Sequence, residues 1–205
     1  MLEVGRRQFL TPRVGCAILA AGAGVRFGGD GRKQRTYVGG RPLLQYAIDA
    51  ACRSHALHCS LIVGASLDRV LAAVDTRRCA VYVNHQWAAG IATSIRAVLP
   101  WHSSDAACIL LVADQPDVTA ADLDALINGH EAERDAIVCL RRDEVWGSPL
   151  LFPCRDFGSL MALEGDRGAK SYAQTQRSRL LFVEAARASA FLDIDRPDDV
   201  ARFSD

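Results

Sequence analysis

Apolar runs of strand length alternate with amphipathic helical patterns along the chain. The runs that predict strands are residues 14–20, 59–64, 79–84, 107–114, 136–141 and 180–185. In the first of these, and in residues 107–112, every position is apolar. Continuous apolar runs are typical of strands that are covered on both faces in a parallel sheet.

Helical patterns lie between the predicted strands. Residues 43–54 carry apolar side chains at i, i+3, i+4 and i+7, which predicts one buried helical stripe. Its members are Leu44, Ala47, Ile48 and Ala51. A second predicted helix, 119–130, begins with Thr119 as N-cap and Asp122 three residues later, a variant of the capping box. Residues 195–205, with a proline near their first turn, predict a short closing helix.

This alternation predicts right-handed βαβ units and an α/β fold, with a doubly wound, mostly parallel sheet in a three-layer αβα arrangement. Ligands of such sheets bind beyond the carboxyl ends of the strands, which directs attention to the segments after Ala20 and Val112. Residues 144–170 break the alternation and predict an insertion that shapes a second ligand pocket. We predict one domain over residues 13–205, preceded by an extension of residues 1–12.

Composition narrows the class of ligand. The chain has 205 residues, with 24 Lys and Arg against 24 Asp and Glu. This balance indicates no nucleic-acid surface, so a polyanionic ligand needs a local site. No apolar run approaches the roughly 18 residues that a membrane span needs, so no membrane partner is expected.

The cysteine content and the N-terminal residues give information about the cellular compartment of the protein. The seven cysteines are odd in number and mostly lie in apolar runs, which favours buried free thiols in a reducing, cytoplasmic setting. The "GRRQFL" segment at 5–10 is similar to a twin-arginine export motif. Cleavage after the apolar stretch that follows would remove the first strand and its loop, so we interpret residues 1–12 as a basic N-terminal extension.

The stretch "CAILAAGAGVRFGGDGRKQ" joins the first strand to a glycine-rich loop with cations. It does not fit a P-loop, because Lys33 is followed by Gln34 where a P-loop has Ser or Thr. A dinucleotide fingerprint fails at its third glycine position, which is Phe27.

A nucleotidyltransferase signature fits better. Glycines let the backbone wrap closely around a triphosphate, and Arg26 and Lys33 follow as fixed cations. The segment "LAAGAGVRFGGDGRKQRTYVGGRPLL" resembles the MobA-like NTP transferases, and further segments match in the family's order from about residue 14 to 202. They are "NHQWAAGIATSI", "LLVADQPDV", "GSPLLF", "LEGDRGAK" and "DIDRPDDV". The branch of molybdenum cofactor cytidylyltransferases is the most similar.

The resemblance implies a Rossmann-like nucleotidyltransferase fold and a magnesium-dependent reaction. CMP would pass from CTP to the phosphate of a molybdopterin-type molybdenum cofactor, with release of pyrophosphate. A molybdenum hydroxylase apo-enzyme is a possible further partner. The chain departs from the family pattern at Phe27, where Met is usual, and at the "QRTYV" that follows the lysine.

The resemblance also implies site residues. Lys33 and Arg26 would be catalytic, on the α-phosphate and on the β- and γ-phosphates. Nucleotide binding is assigned to Leu19, Ala20, Ala21, Gly22, Gly24, Ser94 and Ala113. The Mg²⁺ ligands would be Asp114 and Asp195, with Asp193 as a rival for the second position. Acceptor binding is assigned to Gly147, Pro149, Gly165, Asp166, Gly168 and Ala169.

Several alternatives stay open at this point. Ala21 stands where the guanylyl branch usually has glycine, which favours a pyrimidine base, but GTP remains an alternative. A sugar-phosphate acceptor, or a non-catalytic carrier or chaperone of molybdenum cofactor, also remains. Asp195 could instead cap the closing helix, and Trp87 and Trp146 could pack or stack on a flat ligand.

Overall fold

The computed structural model describes residues 13–201 and 203, so the predicted extension 1–12 lies outside the described residues. The strands in the described part are β1 (Val14–Leu19), β2 (Tyr37–Val38), β3 (Arg41–Pro42), β4 (Cys59–Val63), β5 (Cys79–Val83), β6 (Ala107–Val112), β7 (Ile137–Arg142), β8 (Val145–Pro153) and β9 (Leu180–Glu184). The helices there are α1 (Arg32–Arg35), α2 (Leu43–Arg53), α3 (Leu67–Leu71), α4 (Ile91–Val98), α5 (Ala120–Ala132), α6 (Phe157–Met161), α7 (Ala169–Thr175) and α8 (Pro197–Ala201).

Within the described residues, seven strands form one sheet in the order β5-β4-β1-β6-β8-β7-β9. The pairs β5–β4, β4–β1, β1–β6 and β7–β9 are parallel. β8 pairs antiparallel with both of its neighbours. The predicted α/β fold with a mostly parallel sheet is therefore confirmed, and each predicted strand is present within two residues of its bounds.

The prediction of an insertion over residues 144–170 is wrong in its first part, because β8 is an interior strand of the sheet. The sequence pattern did not predict β8, because Gly147 and Pro149 are both disfavoured inside a strand. The register shifts between Cys139 and Leu140, which pair with Leu150 and Gly147, so the proline lies in the irregular stretch between them. A bulge tolerates a residue that cannot donate a ladder hydrogen bond.

Helices cover both faces of the sheet. One apolar layer includes the predicted α2 stripe together with Leu123, Leu126 and Ile127 of α5. The opposite layer includes Ile95 and Val98 of α4, with residues of α6 and α7. The three-layer arrangement is confirmed, and it leaves the loops at the carboxyl ends of β1 and β6 facing each other.

Local signals in the sequence correspond to real ends of helices. Thr119 accepts the backbone N–H of Asp122, and the Asp122 carboxylate accepts the backbone N–H of Thr119, so the capping box that begins α5 is confirmed. Asp122 also accepts the Ala186 N–H, which attaches α5 to the segment after β9. The closing helix begins at Pro197, two residues later than predicted.

All seven cysteines are free thiols, as predicted. Four of them are buried, but the prediction of burial is wrong for Cys154, which is exposed at the end of β8. Of the helices formed by residues 13–201 and 203, none is long and apolar enough to cross a bilayer.

Candidate active site

The loop after β1 is shaped by glycine at positions where side chains do not fit. Gly24 has φ +65°, and a Cβ there would lie 2.8 Å from Lys33 Cβ. Gly31 has φ +62° immediately before α1, the helix that carries Lys33. These left-handed positions favour glycine. They turn the chain so that α1 directs the lysine back toward the end of β1.

Lys33 lies between two carboxylates from distant parts of the chain. Its Nζ is 2.8 Å from Asp114 Oδ2 and 2.7 Å from Asp195 Oδ1. Only 13% of its side chain is exposed. Burial by itself lowers the pKa of Lys33, but Asp114 and Asp195 outweigh that effect and raise it. The lysine is therefore fully charged at neutral pH.

The second carboxylate segment is held beside the first by the backbone. The N–H of Ile194 donates to the carbonyl of Asp114 at 2.9 Å, and Ile194 is buried. Asp195 also binds Arg26, whose Nη1 lies 2.8 Å from Oδ2, with 68% of the arginine side chain exposed. The Asp195 carboxylate thus faces the cations of the loop, and the N–H groups of Asp195 and Arg196 donate to Asp199.

Asp193 occupies a different environment. It accepts a hydrogen bond from Gln115 Nε2 at 2.9 Å. Burial, followed by the nearby Asp114 charge, raises the pKa of Asp193 above its usual value. The geometry therefore separates the two rivals: Asp195 shares Lys33 with Asp114, whereas Asp193 faces a neighbouring cavity.

A first cavity of about 290 Å³ opens beside Lys33. Every residue to which nucleotide binding was assigned lies on its wall, together with Lys33 and Asp114. The lining residues are Leu19, Ala20, Ala21, Gly22, Gly24, Lys33, Gln34, Trp87, Gly90, Ile91, Ser94, Val112, Ala113, Asp114 and Asp166. This wall joins the carboxyl ends of β1 and β6 to the start of α4.

Sequence reasoning missed two side chains that shape this cavity. Gln34 is buried and donates from Nε2 to the carbonyls of Gly22 at 2.6 Å and Ala20 at 3.3 Å, so it fixes the loop against α1. Its Oε1 makes no hydrogen bond to the described residues. Asn84 donates to Ser94 Oγ at 3.1 Å, which leaves the serine hydroxyl its own proton to donate. Both residues lie in segments that resemble the family, but the spacing of these segments did not predict the hydrogen bonds that the two residues make.

A second cavity of about 260 Å³ lies on the other side of Asp114. Its lining residues are Val112, Asp114, Gln115, Val145, Trp146, Gly147, Ser148, Lys170, Phe191 and Asp193. Lys170 Nζ donates to the carbonyl of Trp146 at 2.7 Å and lies 5.0 Å from the centre of the indole ring. A flat aromatic surface and a cation therefore stand together in this cavity.

The structure divides the residues assigned to acceptor binding. Gly147 lies on the second cavity, as does Lys170. Asp166 lies on the first, and Gly165 packs so tightly against Gly90 that a Cβ on Gly90 would overlap it. Four of the six residues, Gly165, Pro149, Gly168 and Ala169, line neither cavity.

The donor set between the cavities suits a hard divalent cation. Asp114 and Asp195 offer carboxylate oxygens, the ligands that Mg²⁺ prefers. Asp114 Oδ1 is buried and has no hydrogen-bond partner among the described residues. A cation would satisfy that oxygen, and Lys33 holds the other oxygen of the same group in its place. The residues present therefore fit a bound divalent ion.

The sequence profile of the MobA-like NTP transferase domain family matches residues 16–180. Nicotine blue oxidoreductase of Paenarthrobacter nicotinovorans is 26% identical over an alignment that covers 93% of this chain and 96% of that protein. The bifunctional protein GlmU of Cellvibrio japonicus (strain Ueda107) is 31% identical over 124 residues, or 59% of this chain and 26% of GlmU. The chain thus spans about a quarter of the length of the GlmU proteins that it matches.

Solved structures agree with this family. The crystal structure of Rv0371c from Mycobacterium tuberculosis H37Rv superposes with a TM-score of 0.80 at 27% identity, covering 95% of this chain and 98% of that one. A manganese complex of Rv0371c gives 0.74 at 26% identity, covering 93% and 97%. Both superpositions extend over more than nine-tenths of this chain.

Proposed function

The chain belongs to the MobA-like NTP transferase family, and on that premise we propose that it transfers CMP from CTP to the phosphate of a molybdopterin-type molybdenum cofactor. The observation that carries the proposal is the shared wall between the two cavities. Val112 and Asp114 line both of them. A nucleotide in the first cavity and an acceptor in the second would meet at the carboxylate to which Lys33 is paired.

In the proposed reaction, an oxygen of the acceptor phosphate attacks the α-phosphorus of CTP. The bond from that phosphorus to the oxygen bridging to the β-phosphate breaks, and pyrophosphate leaves with the bond electrons. Both reactants are anions, so the protein's main task is to position them and to offset their charge. The chain supplies no covalent nucleophile in this scheme.

Named residues divide this task. Lys33 would contact the α-phosphate and stabilise the charge that develops there, since it is buried and held charged by its neighbours. Arg26, which is mostly exposed, can reach the β- and γ-phosphates at the mouth of the first cavity. Asp114 and Asp195 would hold a divalent ion, Mg²⁺ in this proposal, which supplies Lewis-acid neutralisation of phosphate charge when bound.

The base assignment rests on Ala21 and Ser94, which both line the first cavity. The methyl group of Ala21 occupies space that a glycine would leave open, which favours a pyrimidine over the larger guanine. Ser94 accepts from Asn84 and can donate its own proton toward a base carbonyl. CTP is therefore the expected donor.

The acceptor assignment rests on the second cavity. Trp146 offers a ring face on which a fused heterocycle can stack, and Lys170 beside it offers charge to a phosphate. A phosphorylated pterin combines both features in one ligand. A sugar phosphate would use the cation and leave the indole without a partner.

A pyrophosphate-release assay tests the proposal. The protein is incubated with Mg²⁺, one of the four nucleoside triphosphates, and either molybdopterin-type cofactor or a panel of sugar phosphates. We expect release that requires CTP and the pterin together. Asp114→Asn should abolish it, and Glu133→Gln, an exposed carboxylate remote from Lys33, is the matched control.

Each alternative predicts a different result. Release with GTP in place of CTP overturns the base assignment. Release with a sugar phosphate alone overturns the acceptor. Tight binding of cofactor without any release of pyrophosphate identifies a carrier and overturns the proposed activity.

A further inference from the structure

A cluster of metal-binding side chains lies at the end of the sheet opposite to Asp114. His58 immediately precedes β4, and His102 and Asp105 precede β6. Those strands run parallel, so the cluster occupies their amino ends. The six residues of β6 alone span about 20 Å, which separates the cluster from the carboxylates of the proposed active site.

The three side chains converge on one carboxylate oxygen. Asp105 Oδ2 lies 2.8 Å from His102 Nδ1 and 3.0 Å from His58 Nε2. All three potential ligand atoms lie within 4.8 Å of one another. The side chains of His102 and Asp105 are fully buried, whereas 40% of the His58 side chain is exposed. The cluster is therefore enclosed on one side and open to solvent beside His58.

A second observation indicates that this arrangement lacks a component. Asp105 Oδ1 is buried and has no hydrogen-bond partner among the described residues. A buried carboxylate oxygen without a partner is costly, and such groups are normally paired or bind a metal. Gly15 of β1 packs directly against the cluster, because a Cβ at that position would overlap the His102 ring. The backbone thus holds both ligand side chains in place.

We propose that His58, His102 and Asp105 bind a zinc ion, with water in the fourth position. Zinc lies about 2.0–2.2 Å from nitrogen and carboxylate oxygen ligands, which places tetrahedral ligand atoms roughly 3.3 Å apart. The 2.8 and 3.0 Å separations from Asp105 Oδ2 need to widen by only a few tenths of an ångström. The His58 ring stacks on the His102 ring at 20° with centroids 5.0 Å apart, so the partly exposed His58 side chain has to turn for both ring planes to meet at the ion. The open side at His58 gives water access to the remaining position.

The surroundings of His102 suit a metal ligand. Its Nε2 lies 2.7 Å from Ser60 Oγ. When zinc takes Nδ1, the ring proton moves to Nε2 and donates to Ser60, so the imidazole stays neutral. A ligand histidine usually makes such a hydrogen bond through its other nitrogen, which fixes the ring.

Ser60, His102 and Asp105 also have the connectivity of a nucleophilic triad. That function is excluded by access, because Ser60 is only 2% exposed and lies inside the sheet, where no substrate reaches its hydroxyl. A small ion entering beside His58 has no such obstacle. The cluster is therefore a cation site that connects the amino ends of three strands, β1, β4 and β6.

Zinc bound here should stabilise the folded protein, since the unfolded chain does not hold the three ligands together. The test uses the full chain, stripped with a chelator, and ZnCl₂ as the probe. Zinc affinity and stoichiometry are measured by competition with a chromophoric chelator, and the melting temperature is recorded with and without zinc. Asp114→Asn serves as the background, because the carboxylates of the proposed active site also attract cations.

We expect one zinc per chain in Asp114→Asn and at least one in wild type, with a rise in melting temperature in both. His58→Ala should weaken that binding at least tenfold, and its partly exposed position makes the variant tolerable to the fold. His55→Ala is the matched control, since His55 is exposed and lies 3.1 Å from a single carboxylate, Asp124. It should retain wild-type affinity.

Three results overturn the proposal. One is the absence of zinc binding by the wild-type chain. Another is equal zinc affinity with and without His58→Ala in the Asp114→Asn background. The third is loss of the bound zinc in Asp114→Asn, which would assign the ion to the opposite end of the sheet. If His58→Ala melts below the assay temperature, His58→Gln replaces it under the same criteria.

Discussion

Replacing Lys33 with Met tests the cluster of charges at the centre of the proposed active site. The change removes the charge and keeps most of the side-chain volume. In the wild type, Nζ offsets the repulsion between Asp114 and Asp195, at 2.8 and 2.7 Å from their oxygens. The Lys33→Met variant leaves Asp114 without the lysine charge, and Asp195 keeps only its pairing with the mostly exposed Arg26.

The magnitudes follow from burial. Breaking a fully buried ion pair by removing one partner costs about 3–5 kcal/mol. The carboxylates here are 27% and 28% exposed, so solvent screens part of that cost. We expect about 2 kcal/mol of lost unfolding free energy in the absence of divalent cations. For turnover, losing one preorganised group that stabilises transition-state charge lowers kcat by about 10²–10³.

A Mg²⁺ titration distinguishes the loss of the Lys33 charge from a loss of packing at the same position. In the wild type, the ion and the Lys33 ammonium would lie beside the same carboxylates, and their like charges repel each other. In Lys33→Met, that repulsion is absent and Mg²⁺ replaces the missing charge, so it should raise the melting temperature more than in wild type. Differential scanning fluorimetry across a Mg²⁺ titration measures the stability, and pyrophosphate release measures turnover.

Arg32→Met is the control, because Arg32 is exposed and adjacent on the same helix. It should leave both measurements near wild type. The reasoning is refuted if Lys33→Met keeps more than a tenth of wild-type turnover, or if Mg²⁺ raises the melting temperatures of variant and wild type equally.

Three further substitutions have definite expected outcomes. Gly24→Ala places a methyl group 2.8 Å from Lys33 Cβ at φ +65° and should lower kcat/KM at least tenfold. An unchanged turnover would contradict this prediction. Arg179→Met removes both hydrogen bonds at 2.8 Å to buried Asp156 and should cost about 3 kcal/mol in chemical denaturation; a loss below about 1 kcal/mol would contradict it. His130→Leu should stabilise by about 1–2 kcal/mol, because both ring nitrogens are buried without partners among the described residues. Burial lowers the pKa of His130 in the folded protein. The contribution of the neutral ring to the unfolding free energy is therefore complete above the unfolded pKa of about 6.5 and declines as the pH falls below it. Equal pH dependence of stability in His130→Leu and wild type would contradict this.

Much of the fold can be predicted because the signals are local. The all-apolar runs that became β1 and β6 identify strands buried on both faces, and the capping residues of α5 fix where that helix begins. β8 escaped prediction because its register depends on pairing with strands on both sides. A glycine and a proline within it contradict any local strand pattern.

The residues of the candidate site likewise differ in whether local sequence signals could predict them. Lys33 and Asp114 could be brought together from sequence, since each follows the carboxyl end of a parallel strand and those ends share one edge. Gln34 and Asn84 could not be assigned a task, because their partners are a loop carbonyl and a serine fixed only by the tertiary structure. The cluster at His102 was missed for the same reason, since its members come from segments that no motif connects.

In the proposed reaction, different parts of the chain bind the donor and the acceptor on the two sides of Asp114. Apart from Asp166, the first cavity is built from residues 19–114, whereas the second is built from residues 112–193. Substitutions near β8 and the start of α7 can therefore reshape what is accepted without disturbing how the donor is held. Diversity of acceptors within such a scaffold needs no change to its phosphate chemistry.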